Sequence, residues 1–164
     1  SLLVKAIQTA SGQVYSGMQV LASETANNRV ATVISEAAAR KQHHQASHYI
    51  LATGGFLGGG FTACENGHAQ EVVFNLPITA SPSRSDWVRP EFFATLGQPI
   101  FQSGVRVNQR FNPIGTQDQS LLENLSVIGG ALGGYDPICE RSLEGVALAS
   151  ASAAIDQLLG VTHE

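Results

Sequence analysis

The twelve residues Tyr49–Gly60, YILATGGFLGGG, decide how this chain is read. A short apolar run, Tyr49-Ile50-Leu51-Ala52, ends in Thr53-Gly54-Gly55, and three further glycines follow at 58, 59 and 60. Continuous apolar runs of this length suit a strand buried on both faces of a parallel sheet. Glycine loses more conformational freedom on folding than any other residue. Five of them within seven positions therefore mark a place where a backbone approaches closely or turns where side chains do not fit.

The pattern recurs. Leu125-Ser126-Val127-Ile128 is a second short apolar run, and Gly129-Gly130-Ala131-Leu132-Gly133-Gly134 follows it. A turn then leads into Ser142–Leu159, the strongest helix prediction in the chain. Ser142 is a good N-cap. Leu143, Val146, Ala147, Ala151, Ala154, Ile155 and Leu158 share one apolar face at helical spacing, and Gly160 ends the helix. In open α/β sheets, ligands bind beyond the carboxyl ends of the strands. Glycines there let backbone N–H groups reach a phosphate, and a helix N-terminus favours negative charge. Either stretch alone reads as a tight turn. Both together, with the capped helix, favour a nucleotide-type cofactor. Neither is a Walker A loop, and no G-x-G-x-x-G opens a helix near residue 1.

Elsewhere, Val14-Tyr15 with Met18–Leu21, and Val30–Ile34, read as strands of a small β-meander over 13–35. Asn27-Asn28 is the turn between them. Residues 36–47 read as a loop or frayed strand. Prolines at 77, 82, 90 and 99 break up residues 62–100. Within that stretch Val72-Val73-Phe74 is an expected strand and Glu91–Leu96 an expected short helix. Val105-Arg106-Val107 alternates like a half-exposed strand.

YILATGG resembles the strand-Ala-Thr-Gly element of two-dinucleotide-binding-domain flavoproteins of the fumarate reductase-like superfamily. ENLSVIGGALGGYDP followed by ERSLEGVALASASAA resembles their C-terminal flavin-contacting segment. The similarity is closer to the family of B subunits of anaerobic glycerol-3-phosphate dehydrogenase. It runs from about Gly12 to Leu159 and includes RSDW and PEFF. That family's chains are much longer and open with a glycine-rich βαβ unit. The resemblance therefore implies an α/β chain that is the C-terminal part of a Rossmann-like FAD/NAD(P)-binding fold. Residues 1–61 and 111–164 would belong to the flavin-binding domain and 62–110 to part of a cap. It implies a flavin, FAD or FMN, near Thr53, Gly54, Gly55, Gly129 and Gly130. Many relatives carry an acidic residue where Gly130 stands, so its expected contribution is through the backbone. The N–H groups of Arg141, Ser142 and Leu143 would face the pyrimidine edge of the flavin.

The activity so implied is oxidation of glycerol 3-phosphate to dihydroxyacetone phosphate, with electrons passed towards a quinone. The implied partners are a companion dehydrogenase subunit and a membrane-anchored electron-transfer subunit. The implied location is cytoplasmic, on the inner face of the membrane. The substrate-oxidising site of that family is credited to the companion subunit, and no catalytic residue is assigned here. One alternative is another flavoenzyme of the superfamily, which would show a His and Arg set in its cap. A second is an assembly module that has lost its cofactor.

Composition sets outer limits. With 9 Lys+Arg against 13 Asp+Glu the net charge is −4, which argues against nucleic acid as a partner. Charged residues are only 13% while hydrophobic residues are 43%, so part of the surface is apolar or meant to be covered. No run of 18 apolar residues occurs. Cys64 and Cys139 lie far apart and read as free thiols. His43, His44 and His48 could hold zinc on spacing alone, but on a strand His44 and His48 do not share a face with His43 and no nearby cysteine completes a set; Cys64 with His68 is a similarly weak hint, so no metal is expected. Arg84 and Arg89 flank Trp87; a surface loop is the simpler reading, a phosphate contact the other.

Overall fold

The computed structural model describes residues 1–65 and 67–161. Among these, seven strands form three small sheets, and two α-helices stand towards the two ends of the chain. The first sheet is an antiparallel meander of β1 (Gln19–Ala26), β2 (Arg29–Ala37) and β3 (Arg40–His44). Asn27 (φ 51°) and Asn28 (φ 57°) make the two-residue turn expected from the sequence. Both residues are left-handed, as the turn that matches strand twist demands. Val14-Tyr15 lies outside β1. The stretch 36–47 is mostly ordered strand, because Ala38 (φ 48°) and Ala39 (φ 59°) form a second such turn.

The second sheet fulfils the main expectation. β4 (Tyr49–Leu51) pairs in parallel with β7 (Leu125–Val127), Tyr49 opposite Leu125 and Leu51 opposite Val127. Leu51, Leu125 and Val127 are buried and form the core with Val30, Phe61, Leu76 and Val105. Tyr49 N–H donates to Asn124 O (2.8 Å) and Ile128 N–H to Leu51 O (3.0 Å). The backbone groups of Ile50 consequently point away from β7. Asn124 locks the meander to this pair: its Oδ1 accepts from Val30 N–H (2.7 Å) and its Nδ2 donates to Val30 O (3.0 Å).

The third sheet is a hairpin of β5 (Phe61–Ala63) and β6 (Ala69–Glu71). The strand expected at 72–74 is absent, since Glu71 takes the N–H groups of Val73 (2.8 Å) and Phe74 (2.7 Å). The helix expected at 91–96 is a series of turns. Gln98 Nε2 donates to the carbonyls of Glu91 (2.8 Å) and Phe92 (3.1 Å), which a helix would need for its own ladder. Val105 and Val107 form isolated bridges instead of a continuous strand. The chain also has a helix that its sequence pattern does not announce, α1 (Leu2–Thr9), which buries none of its side chains.

α2 (Leu143–Leu159) lies where expected, with Gly160 left-handed at its end (φ 67°). Two details differ. Ser142 makes no side-chain cap; its Oγ lies 3.3 Å from Glu140 Oε2. The buried face is not the large apolar one either. Ser150 and Ala154 are buried, while Leu143, Ile155 and Leu158 remain substantially exposed. Small side chains let the helix axis come close to Gly129–Ala131.

Candidate functional site

The two strand-glycine elements end at the same side of the parallel pair. A Cβ added at Gly55 would lie 2.8 Å from Gly130 O, and one at Gly130 would lie 3.4 Å from both Gly54 Cα and Gly55 N. The turns therefore touch backbone to backbone, and Gly54 (φ 77°) needs glycine for its conformation as well. Gly58 and Gly60 fold back onto Thr53 and Gly54: an added Cβ would lie 2.9 Å from Thr53 O at Gly58 and would overlap Gly54 O at Gly60. Part of the glycine density thus serves the chain's own turn.

Over this contact opens a cleft of about 150 Å³. Gly54, Gly55, Gly130 and Leu143 line one side; Ile100, Phe101 and Ser103 line the other. Of the eight residues expected at a cofactor, these four come together. Thr53 instead lines a separate apolar groove of about 380 Å³, and its Oγ1 is buried without a hydrogen-bond partner. Gly129 is turned under α2. Arg141 (φ 52°, exposed) and Ser142 precede the helix outside the cleft lining. The opposite wall, the 3-10 turn Pro99–Gln102, has no signal in the sequence, because only long-range folding brings it here. It belongs to a segment that packs back through Gly104, where an added Cβ would overlap the backbone of Leu132 and Gly133.

α2 is pinned to the second turn by Ser150. Its Oγ accepts from Gly129 N–H (2.9 Å) and donates to Val146 O (2.6 Å). Ser150→Ala leaves the buried Gly129 N–H without an acceptor and is expected to cost about 1–3 kcal/mol. A urea titration checks this; an unchanged midpoint would show that the bond contributes nothing.

The arrangement suits part of a flavin nucleotide. Among the described residues, the N–H groups of Gly54, Gly55 and Gly130 donate no hydrogen bond. The first-turn N–H groups of α2 have no intrahelical acceptor and carry the positive end of the helix dipole. Leu143 places that end at the cleft. A cleft of this size is below the usual range of ligand pockets, roughly 300–1,000 Å³. It can hold only a portion of such a group.

Other candidate groups are engaged elsewhere. His44 Nε2 lies 2.7 Å from Ser35 Oγ, and His48 Nε2 lies 3.1 Å from Ser126 Oγ. Among the described residues no group of three His, Cys, Asp or Glu is placed to hold a metal. Arg84 lies over the Trp87 ring (5.8 Å), and Arg89 Nε donates to Gly97 O (3.0 Å). Cys64 and Cys139 are free thiols. Among the described residues no helix is long and apolar enough to cross a membrane.

Comparison with known proteins accords with the geometry. Residues 3–146 match the family model described as FAD binding domain. The chain is 33% identical over 144 residues to the B subunit of anaerobic glycerol-3-phosphate dehydrogenase from Vibrio cholerae serotype O1 (El Tor Inaba N16961), covering 87% of this chain and 32% of the relative. It is also 33% identical over 156 residues to the proteins of the same name from Yersinia enterocolitica and Yersinia pseudotuberculosis, covering 93% of this chain and 34% of each relative. The chain thus spans about a third of the length of the curated relatives it matches. With its parallel strands, touching glycine turns and following helix, the chain belongs to the FAD binding domain family.

Proposed function

We propose that this chain is the C-terminal, flavin-holding part of a longer redox subunit acting in anaerobic oxidation of glycerol 3-phosphate to dihydroxyacetone phosphate. The observation that carries the reading is the contact between the two glycine turns at the carboxyl ends of a parallel pair, beside the N-terminus of α2. Gly54, Gly55 and Gly130 offer backbone donors to the phosphates or ribityl hydroxyls of FAD. The first turn of α2 offers N–H groups and a positive potential to its ring edge. When bound, the flavin supplies hydride and electron-transfer chemistry.

In this reading residues 1–61 and 111–164 belong to the Rossmann-like domain, and 62–110 is part of a cap that contributes Ile100, Phe101 and Ser103. The backbone groups of Ile50 face the free edge of β4, beside the apolar groove of about 380 Å³. A further strand of the longer protein completes the sheet there. Electrons come from a companion dehydrogenase subunit and leave through a membrane-anchored subunit towards a quinone. The protein lies on the cytoplasmic face of the membrane through those partners.

The test is the visible absorption spectrum of the intact protein as purified, with the released cofactor identified by mass. FAD is expected. Gly130→Val fills the cleft while its Cβ meets only ordinary contacts. It is expected to weaken flavin retention at least about tenfold, a loss of ~1.4 kcal/mol or more. Absence of flavin after reconstitution with FAD and FMN would favour an assembly module whose glycines serve only the turns.

A further inference from the structure

A second cleft, of about 450 Å³, lies at the opposite, amino-terminal end of the parallel pair. Arg29 reaches it from the start of β2, His48 from the residue before β4, and Arg110 from the turn Asn108–Phe111; Gln157 lines it from α2. Among the described residues Glu123 is its one lining carboxylate, 3.7 Å from Arg29. The chain as a whole has more acidic than basic residues, so the cleft gathers charge of the sign the chain is short of. The two buried amides in its wall are structural. Asn112 Nδ2 donates to Glu123 O (3.2 Å) and Leu125 O (2.9 Å), and Asn124 is taken by Val30. They hold the floor rigid, while the guanidiniums remain at the surface and the His48 ring is half-buried.

We propose that this cleft binds a small phosphate-type oxyanion between Arg29 and Arg110, independently of the flavin site. Guanidinium groups recognise such oxyanions through paired N–H donors. Glu123 competes for Arg29, so the site is tuned to moderate affinity. The His48 ring stands within the field of Arg29: burial and that guanidinium both hold its pKa below the ordinary value. His48 therefore reports any anion that neutralises Arg29.

The experiment is titration of the intact protein with inorganic phosphate at constant ionic strength, read by calorimetry and by the His48 ring resonances. Saturable binding is expected. Arg110→Ala should weaken it roughly tenfold, the worth of one charge-assisted hydrogen bond. Glu123→Gln should tighten it, because it removes the competing carboxylate. The Arg29–Glu123 pair is more than half exposed and adds little to folding, so this gain cannot come from a damaged fold. The proposal is overturned if sodium chloride produces the same His48 shifts, or if neither variant changes the phosphate titration.

Discussion

Glu71→Ala is expected to lower the unfolding free energy by roughly 2–5 kcal/mol, from N–H donors that lose their acceptor and from the volume emptied in the core. Glu71 is fully buried at the end of β6. Its carboxylate accepts from Val73 N–H (2.8 Å) and Phe74 N–H (2.7 Å), with Leu76 N–H at 3.5 Å. The side chain thus does for residues 72–76 what a neighbouring strand would do in a sheet. Alanine leaves the part-buried N–H groups of Val73 and Phe74 without their acceptor, each costing up to about 1–3 kcal/mol, and opens a cavity beside Leu76 and the core. Glu71→Gln keeps one acceptor oxygen but turns an amide donor towards N–H groups, so an intermediate loss is expected. Urea denaturation of both variants checks the order. A loss below about 1 kcal/mol for the alanine variant would show that the loop finds other acceptors.

The same carboxylate explains why the sequence misleads at Val72-Val73-Phe74. Three β-prone residues in a row suggest a strand, yet the donors of Val73 and Phe74 are claimed by Glu71 and that of Val72 by Gly60 O. Nothing local announces that Glu71 is buried. The two hairpin turns make a similar contrast. Asn27-Asn28 tolerates left-handed backbone and is legible as a turn. Ala38-Ala39 adopts the same geometry without any turn chemistry, so β3 reads as loop or frayed strand. There the strand pairing imposes a conformation that alanine does not prefer. At α2 the period is right and the buried side is not. Position 150 is polar, but its hydroxyl is the partner of Gly129, and close packing selects small residues over large apolar ones. At the site, the glycine elements can be read because each couples a local pattern to one local geometry. Ile100, Phe101 and Ser103 cannot, because they reach the cleft only through the distant Gly104–Gly133 crossing.

Gly60→Ala separates two reasons for glycine in the Tyr49–Gly60 stretch. Gly60 is buried, and a Cβ there would overlap Gly54 O and lie 2.6 Å from Thr53 Oγ1. The neighbours cannot yield easily. Gly60 N–H is held by Gly55 O (3.0 Å), and Gly60 O accepts from Val72 N–H (3.1 Å). The methyl group must push against backbone, and a loss of about 3 kcal/mol is expected from overpacking of this kind. Gly59 is the control. An added Cβ there meets nothing within 4 Å, but its φ is 79°. Gly59→Ala should therefore lose only the left-handed penalty, roughly 1–2 kcal/mol. Because Gly54 and Gly55 also touch Gly130, a displaced Gly60 disturbs the cleft, and weaker flavin retention should accompany the larger loss. If both variants instead keep wild-type stability and only Gly60→Ala loses flavin, self-packing of the turn is the wrong explanation, and the glycines at 58–60 are there for the ligand.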